Sequence, residues 1–92
     1  MSMHYDRTVT ISAYTVPDDG IIMITIAPGE VDISEEVEPC VAVVDLDAEE
    51  RVLSIEVLDR SHFDLAAVAA EYGIADLVPE IEAAIAAAKP GP

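Results

Sequence analysis

Hydrophobic and polar residues alternate with a period of two through most of the first 58 residues. The alternation is clearest in the segment 51–58, where Ser54 and Glu56 separate apolar positions that share the opposite face. These apolar positions are Leu53, Ile55 and Val57. A second apolar segment, 41–46, lies before it, and the two are joined by the acidic turn Asp45 to Glu50. The pattern predicts a β-hairpin.

Three earlier segments also have the pattern of strands. Residues 8–13 alternate, with Val9, Ile11 and Ala13 on one face. Residues 21–26 are mostly β-branched, which indicates cover on both faces. Residues 31–37 are more polar and acidic, as suits an edge strand that resists aggregation. The connections are short and contain Pro and Gly, which predicts an antiparallel meander.

The hydrophobic period changes to that of a helix at Ser61. Ser61 and Asp64 have the spacing of a capping box, and Gly73 stands where a first helix would end. A second helix is predicted to open at Asp76, with Pro79 in its first turn. The apolar stripe of the first helix is Leu65, Val68, Ala69 and Tyr72, and that of the second is Leu77, Ile81, Ala84, Ile85 and Ala88.

These elements predict an α+β fold, with an antiparallel β-meander of four to five strands followed by two C-terminal helices packed on the sheet. We expect residues 1–92 to form a single domain, with strands over about 8–58 and helices over about 61–88. A core built almost wholly from aliphatic side chains is small at this length. Association between subunits is one way to bury more apolar area.

The formal net charge of −15 limits the classes of partner. The chain contains only four basic residues, so it would be repelled by nucleic acids and by anionic membranes. We therefore expect partners that are cationic, neutral or identical to this chain, for instance a basic protein. The acidic residues have an alternative explanation, because they also keep a small protein in solution.

Composition also bears on location. Cys40 is the only cysteine, so an intramolecular disulfide is impossible. The first residues do not have the pattern of a signal peptide, and no apolar stretch is long enough for a membrane span. We expect a cytoplasmic protein.

The second predicted helix is a candidate for a homodimer interface. Its apolar stripe supplies the interaction residues Leu77, Ile81, Ala84 and Ile85. Its other side carries Ala83, Ala86 and Ala87, and such small side chains let helices approach closely. The alternative is that alanine is present only for its helix propensity.

One further pattern extends from Tyr14 to Leu58 and covers about half of the chain. Its elements are Tyr14, Asp19, 21–24, 35–37, Pro39, Asp45, Asp47, Arg51, Val52 and 55–58. This pattern resembles the YuzE-like family of small bacterial proteins, a domain of unknown function. The family pattern has glycine at three positions that are occupied in this chain by Cys40, Glu50 and Ser54. The resemblance implies a compact antiparallel sheet with helix, no established activity and an antitoxin-like role.

Candidate chemistry is sparse. Asp45, Asp47 and Glu49 are weak candidates for a metal site, because alternate carboxylates in a short loop can bind a hard cation. The loop lacks the glycine and glutamate positions of an EF-hand, and a solvated acidic hairpin explains it equally well. We predict no cofactor.

Catalysis would require several titratable groups to converge. The candidates are Glu56, His62 and Tyr72, in a pocket between sheet and helices. Cys40 has acidic neighbours, which disfavour a thiolate, and His4 lies near the terminus. We therefore expect a non-catalytic protein-interaction module; the alternative is a ligand-binding protein or small enzyme.

Overall fold

A computed structural model describes residues 11–16, 20–38 and 41–90 of the chain. It shows the α+β fold that the sequence predicts: five antiparallel strands followed by two helices. The strands are β1 (Ser12–Val16), β2 (Ile21–Thr25), β3 (Ile33–Val37), β4 (Ala42–Leu46) and β5 (Val52–Val57). The helices are α1 (Leu65–Glu71) and α2 (Val78–Ala86), and a short strand β6 (Lys89–Pro90) follows them.

The strands lie in the order β3-β4-β5-β2-β1-β6. All neighbours are antiparallel except β6, which runs parallel to β1. The antiparallel sheet is therefore confirmed, but its order departs from that of a simple meander at one point. Strand β2 pairs with β5, and β3 lies at the far edge of the sheet.

The connection 26–32 explains this order, because it crosses the ends of two strands. The backbone N–H groups of Ile26 and Ala27 both donate to the Leu53 carbonyl on β5. Gly29 lies so close to Leu53 that an added Cβ would be 2.9 Å from a methyl carbon of that leucine. The chain then reaches β4, where the Asp32 N–H donates to the Leu46 carbonyl. Gly29 also has a φ of +155°, which residues with a side chain rarely adopt, so glycine is favoured at this crossing.

The core lies between one face of the sheet and the two helices. It contains Ile24 and Ile55 from the central strands and Ile81 from α2, each with 0% exposure. The alternation predicted for β5 is found at Ile55 and Val57, which belong to the core, but it is wrong at Leu53. An irregularity next to Leu46 also buries Val52, and Leu53 lies outside the central cluster.

The first helix is capped by Asp64, whose side chain accepts a hydrogen bond from the Ala67 N–H. The prediction that Ser61 provides the cap is wrong, because Ser61 instead bonds to Asp59 in the preceding turn. The predicted end at Gly73 is confirmed. Gly73 has a φ of +73°, and the N–H of Ile74 donates to the Ala69 carbonyl, which is the Schellman arrangement.

The second helix follows a single 3-10 turn, Ala75–Leu77, and has Pro79 in its first turn as predicted. Residues 8–10, the turn residues 17–19, and Pro39 and Cys40 lie outside the described residues. The expectations that concern them therefore stay predictions. Strand β6 was not expected from the sequence.

Candidate functional site

The acidic turn between β4 and β5 is organised by Asp47. Its Oδ1 accepts hydrogen bonds from the backbone N–H groups of Glu49 and Arg51, both at 2.9 Å. Its Oδ2 accepts from Nε of Arg51, also at 2.9 Å. Hydrogen bonds from Arg51, first from its backbone and then from its guanidinium, hold the pKa of Asp47 below its ordinary value. Asp47 therefore has a structural role in the turn.

Asp45 is engaged in a different place. Its two oxygens accept hydrogen bonds from the hydroxyls of Ser34 at 2.6 Å and Ser54 at 2.7 Å, which lie opposite it on the neighbouring strands. The third weak metal candidate, Glu49, approaches the same guanidinium as Asp47, with its Oε2 3.9 Å from Nη2 of Arg51. Asp45 therefore has partners of its own, whereas Asp47 and Glu49 both lie beside Arg51. Within the described ranges, no three His, Cys, Asp or Glu side chains are grouped so that they could hold a metal ion.

The three candidates for catalysis lie in three separate places. Glu56 is paired with Met23 and Val43 across the central strands. His62 is in the loop between β5 and α1, and Tyr72 follows the end of α1. A catalytic group made of Glu56, His62 and Tyr72 is therefore not assembled in this fold.

Tyr72 connects α1 to the edge strand β3. Its hydroxyl donates to Oε1 of Glu35 at 2.8 Å. Burial, together with this hydrogen bond, raises the pKa of Tyr72 to about 12. The phenol is thus protonated at neutral pH and serves as a donor.

A serine, a histidine and an aspartate do meet in the loop after β5. Asp59 binds the Ser61 hydroxyl at 2.7 Å through Oδ1 and the His62 Nδ1 at 2.8 Å through Oδ2. These hydrogen bonds, that of Ser61 first, hold the pKa of Asp59 below its ordinary value. Because a carboxylate can only accept, Nδ1 carries a proton and Nε2 is the acceptor in neutral His62.

This group does not have the geometry of a hydrolase triad. In such a triad, the serine and the aspartate contact different nitrogens of the histidine. Here the Ser61 hydroxyl is 3.1 Å from Nδ1, the same nitrogen that contacts Asp59. Ser61 therefore cannot pass its proton to Nε2, and the group organises the loop.

A cavity of about 490 Å³ opens beside this loop, between the start of α1 on one side and Val37, Glu38 and Val41 on the other. Apolar residues from both sides line it: Val37, Val41, Phe63, Ala67 and Val68. Its polar lining residues are Glu38, Asp59, His62 and Asp64. The sequence did not reveal this cavity, because its two walls lie about twenty residues apart and each is short and aperiodic.

The edge strand β3 is the most exposed of the strands β1 to β5. All of residues 30–36 are exposed, and Val31 and Ile33 keep 49% and 50% of their surface in solvent. Five of the nine residues 30–38 are Asp or Glu. The predicted acidic edge strand is confirmed by the position of β3 at the end of the sheet.

The residues predicted for a homodimer interface lie against the protein's own sheet. Leu77 and Ile81 are 2% and 0% exposed, and Ala84 and Ile85 are partly buried against the core. Ala83, Ala86 and Ala87, on the other side of α2, are exposed. A partner that docks on α2 would therefore meet these alanines first. The dimer itself stays a prediction.

Comparison with known proteins gives no match: no family model, no curated protein and no solved structure is significantly similar to this chain. The resemblance to the YuzE-like family stays a prediction from the residues. In the part of the chain that the structure describes, none of the helices has the length and apolar character needed to cross a membrane.

Proposed function

We propose that this protein is a non-catalytic binding module that pairs a cationic, extended segment of another protein with the free edge of β3. The observation that supports the proposal is the edge itself. Strand β3 pairs with β4 on one side, and no strand of the described residues pairs with it on the other. Its outer backbone groups are thus available to a further strand.

The side chains of this edge favour an apolar contact as well as hydrogen bonds. Val31 and Ile33 are about half exposed, at a place where both could be covered by an added strand. Burial of apolar surface contributes about 25 cal/mol per Å². An added strand would therefore be held by backbone pairing and by these two side chains together.

The charge of the edge selects the partner. Glu30 and Asp32 place negative charge at this edge, and no Lys or Arg occurs between Arg7 and Arg51 in the sequence. Like charges that lie opposite each other across two strands are destabilising, whereas opposite charges are stabilising. A second copy of β3 would therefore be rejected, and a segment rich in Lys or Arg would be accepted.

Acidic edges also protect proteins against aggregation. That explanation accounts for the carboxylates but leaves Val31 and Ile33 exposed without a role. An antitoxin-like role would be one instance of the proposal, with a small basic toxin as the partner. A role as an enzyme lacks support, because Glu56, His62 and Tyr72 do not converge.

The proposal can be tested with a short peptide of alternating Lys and Val, titrated into the isotope-labelled protein and followed by NMR. We expect shifts of the β3 amides and binding that weakens as salt is added, because the charges are exposed. The double variant Glu30→Gln/Asp32→Asn should weaken binding about fivefold, or about 1 kcal/mol.

Two controls separate strand pairing from general attraction. The variant Glu71→Gln/Glu82→Gln removes the same charge from exposed helical positions and should leave the affinity within about twofold. The same peptide with alternate amides methylated should bind poorly, because it lacks donors for an edge. The proposal would be refuted if both double variants lost the same amount of affinity for the peptide, or if the methylated peptide bound as tightly as the unmodified one.

A further inference from the structure

The cavity beside α1 has the size and lining of a small-molecule site. Its volume of about 490 Å³ lies within the range of ligand pockets, roughly 300–1,000 Å³. Val41 and Val68 in its wall are 4% and 5% exposed, so the inner surface is apolar and fixed by the core. The chain's only phenylalanine, Phe63, also lines it.

The charged lining residues all have one sign at neutral pH. Glu38, Asp59 and Asp64 are carboxylates, and no Lys or Arg among the described residues lines the cavity. The remaining polar lining residue is His62, whose Nδ1 contacts Asp59 at 2.8 Å. An anion would be repelled here, whereas a cation is attracted by the three carboxylates.

The lining favours an organic cation over a metal ion. Both oxygens of Asp59 already accept hydrogen bonds from Ser61 and His62, and Oδ1 of Asp64 caps the helix at Ala67. A hard metal ion needs about six oxygen ligands and would lose water against an apolar wall. An ammonium group on an apolar body needs fewer ligands, and its body gains from burial.

We propose that this cavity binds a small molecule composed of an apolar body and an ammonium group. The apolar body lies against Val41, Phe63 and Val68, and the ammonium group lies towards Glu38 and Asp64. The site is independent of strand addition at β3, which was assigned above to Glu30, Asp32 and the exposed aliphatic residues. Either proposal can fail without the other.

The test uses phenethylamine as the probe, with phenethyl alcohol as its uncharged analogue and hydrocinnamate as its anionic one. Each is titrated into the isotope-labelled full chain at physiological salt and followed by NMR. We expect phenethylamine to shift the amides of Val37, Glu38, Val41 and residues 59–68, and to bind at least about tenfold more tightly than the alcohol. Hydrocinnamate should not bind.

Two kinds of variant locate the site. Ala67→Leu fills the cavity from an exposed helical position, and should reduce binding of phenethylamine by about tenfold or more. Ala70→Leu makes the same change on the same helix outside the cavity and should have no effect. Two further variants each remove one carboxylate: Glu38→Gln, and Asp64→Asn, which keeps a side chain that can cap the helix. Each should weaken binding of phenethylamine several-fold and leave binding of phenethyl alcohol unchanged.

The proposal is overturned if the alcohol binds as tightly as the amine, or if Ala67→Leu and Ala70→Leu have equal effects. It is also overturned if the shifts spread over the whole acidic surface, as diffuse association with a chain of net charge −15 would produce. Glu38→Gln changes an exposed residue and decides the question even if Ala67→Leu does not fold.

Discussion

Glu50 has a backbone conformation that side chains disfavour. Its φ of +64° lies in the left-handed region, and it is the one residue other than glycine with a positive φ among the described residues. The N–H of Glu50 donates to the Asp47 carbonyl, and the Asp47 N–H donates to the Arg51 carbonyl. This three-residue loop requires the left-handed conformation at its last position.

Replacing Glu50 by glycine should stabilise the protein. The left-handed conformation costs about 1–2 kcal/mol for a residue with a Cβ, and glycine avoids this cost. Glycine also destabilises the folded state by about 0.5–1 kcal/mol, because it loses more conformational freedom on folding. We expect Glu50→Gly to raise the free energy of unfolding by about 0.5–1 kcal/mol, as measured by urea denaturation.

The matched control is Glu49→Gly, one position earlier in the same loop. It removes the same charge from a residue without a positive φ and should lower stability by about 0.5 kcal/mol. If both glycine variants change the stability by the same amount, the strain at Glu50 is absent.

At this scale, the sequence predicted types of residue better than their partners. The resemblance indicated a glycine where Glu50 stands, and the structure shows the conformation that a glycine would favour. The sequence showed Asp47 only as one carboxylate of an acidic turn. Its three hydrogen bonds from Arg51 and Glu49 could not be predicted, because the donors come close to Asp47 only when the turn has formed. Ser61 and Asp64 can both cap a helix, so local sequence could not decide between them.

At the level of elements, Tyr72 is the link between α1 and β3. The hydrogen bond from its hydroxyl to Glu35 joins residues 37 positions apart. Burial and this bond raise the pKa of Tyr72 to about 12 from an ordinary value of 10.0. The folded state therefore holds this proton more tightly than the unfolded state does.

This difference predicts a loss of stability in strong base. The contribution of Tyr72 is fully present below pH 10 and is lost as the pH rises from 10 towards 12, because the unfolded chain gives up its proton first. We expect Tyr72→Phe to lower the free energy of unfolding by about 0.5–1 kcal/mol at neutral pH, which is the usual worth of one hydrogen bond. The variant should then lose less stability than the wild type between about pH 10 and about pH 12, as followed by urea denaturation.

Two further variants check the assignment. Tyr14→Phe changes an exposed tyrosine on β1 and should keep the alkaline loss of the wild type. Glu35→Gln removes the carboxylate that opposes ionisation of Tyr72 and should shift the late part of the tyrosinate absorbance titration to lower pH. If the free energies of unfolding of the wild type and of Tyr72→Phe fall by the same amount as the pH is raised, the proposed role of the Tyr72 hydroxyl is contradicted.

The strands and helices were largely predictable because each has a hydrophobic period of its own. The order of the strands in the sheet was not predictable, because the alternating pattern of β2 is compatible with a place beside β3 and equally with one beside β5. The deciding contacts are those of the connection 26–32 with Leu53 and Leu46, which lie far along the chain. Strand β6 has two residues, too few for any periodic pattern.

At the level of the whole molecule, the net charge of −15 opposes association of identical subunits. The predicted homodimer would have to overcome this repulsion through the exposed alanines of α2. Screening reduces the repulsion, since the Debye length falls from about 10 Å at 0.1 M salt to about 3 Å at 1 M.

We therefore expect a dimer that dissociates at low salt and forms at high salt, as measured by sedimentation velocity. Ala83→Glu/Ala86→Glu places charge on the outer side of α2 and should abolish the dimer. Ala66→Glu/Ala70→Glu makes the same change on exposed positions of α1 and should preserve it. A wild-type protein that is monomeric at every salt concentration would exclude the dimer.

The candidate sites were only partly predictable at this scale. The acidic edge could be inferred from the residues of β3 alone. The cavity could not, because Glu38 and Val41 meet Phe63 and Asp64 only after the sheet and α1 have packed. Its residues have ordinary local roles, such as the cap at Asp64, and nothing in their spacing indicates a shared surface.

The two margins of the sheet are chemically unequal. One is the acidic margin of β3, and at the other β6 pairs with Tyr14 and Thr15 of β1 and contains Pro90, which has no amide proton. If an outside strand is accepted at β3 alone, as proposed above, each chain binds one partner. Recruitment would then stop at a complex of one partner per chain, whereas growth of a fibre needs a second margin that accepts strands.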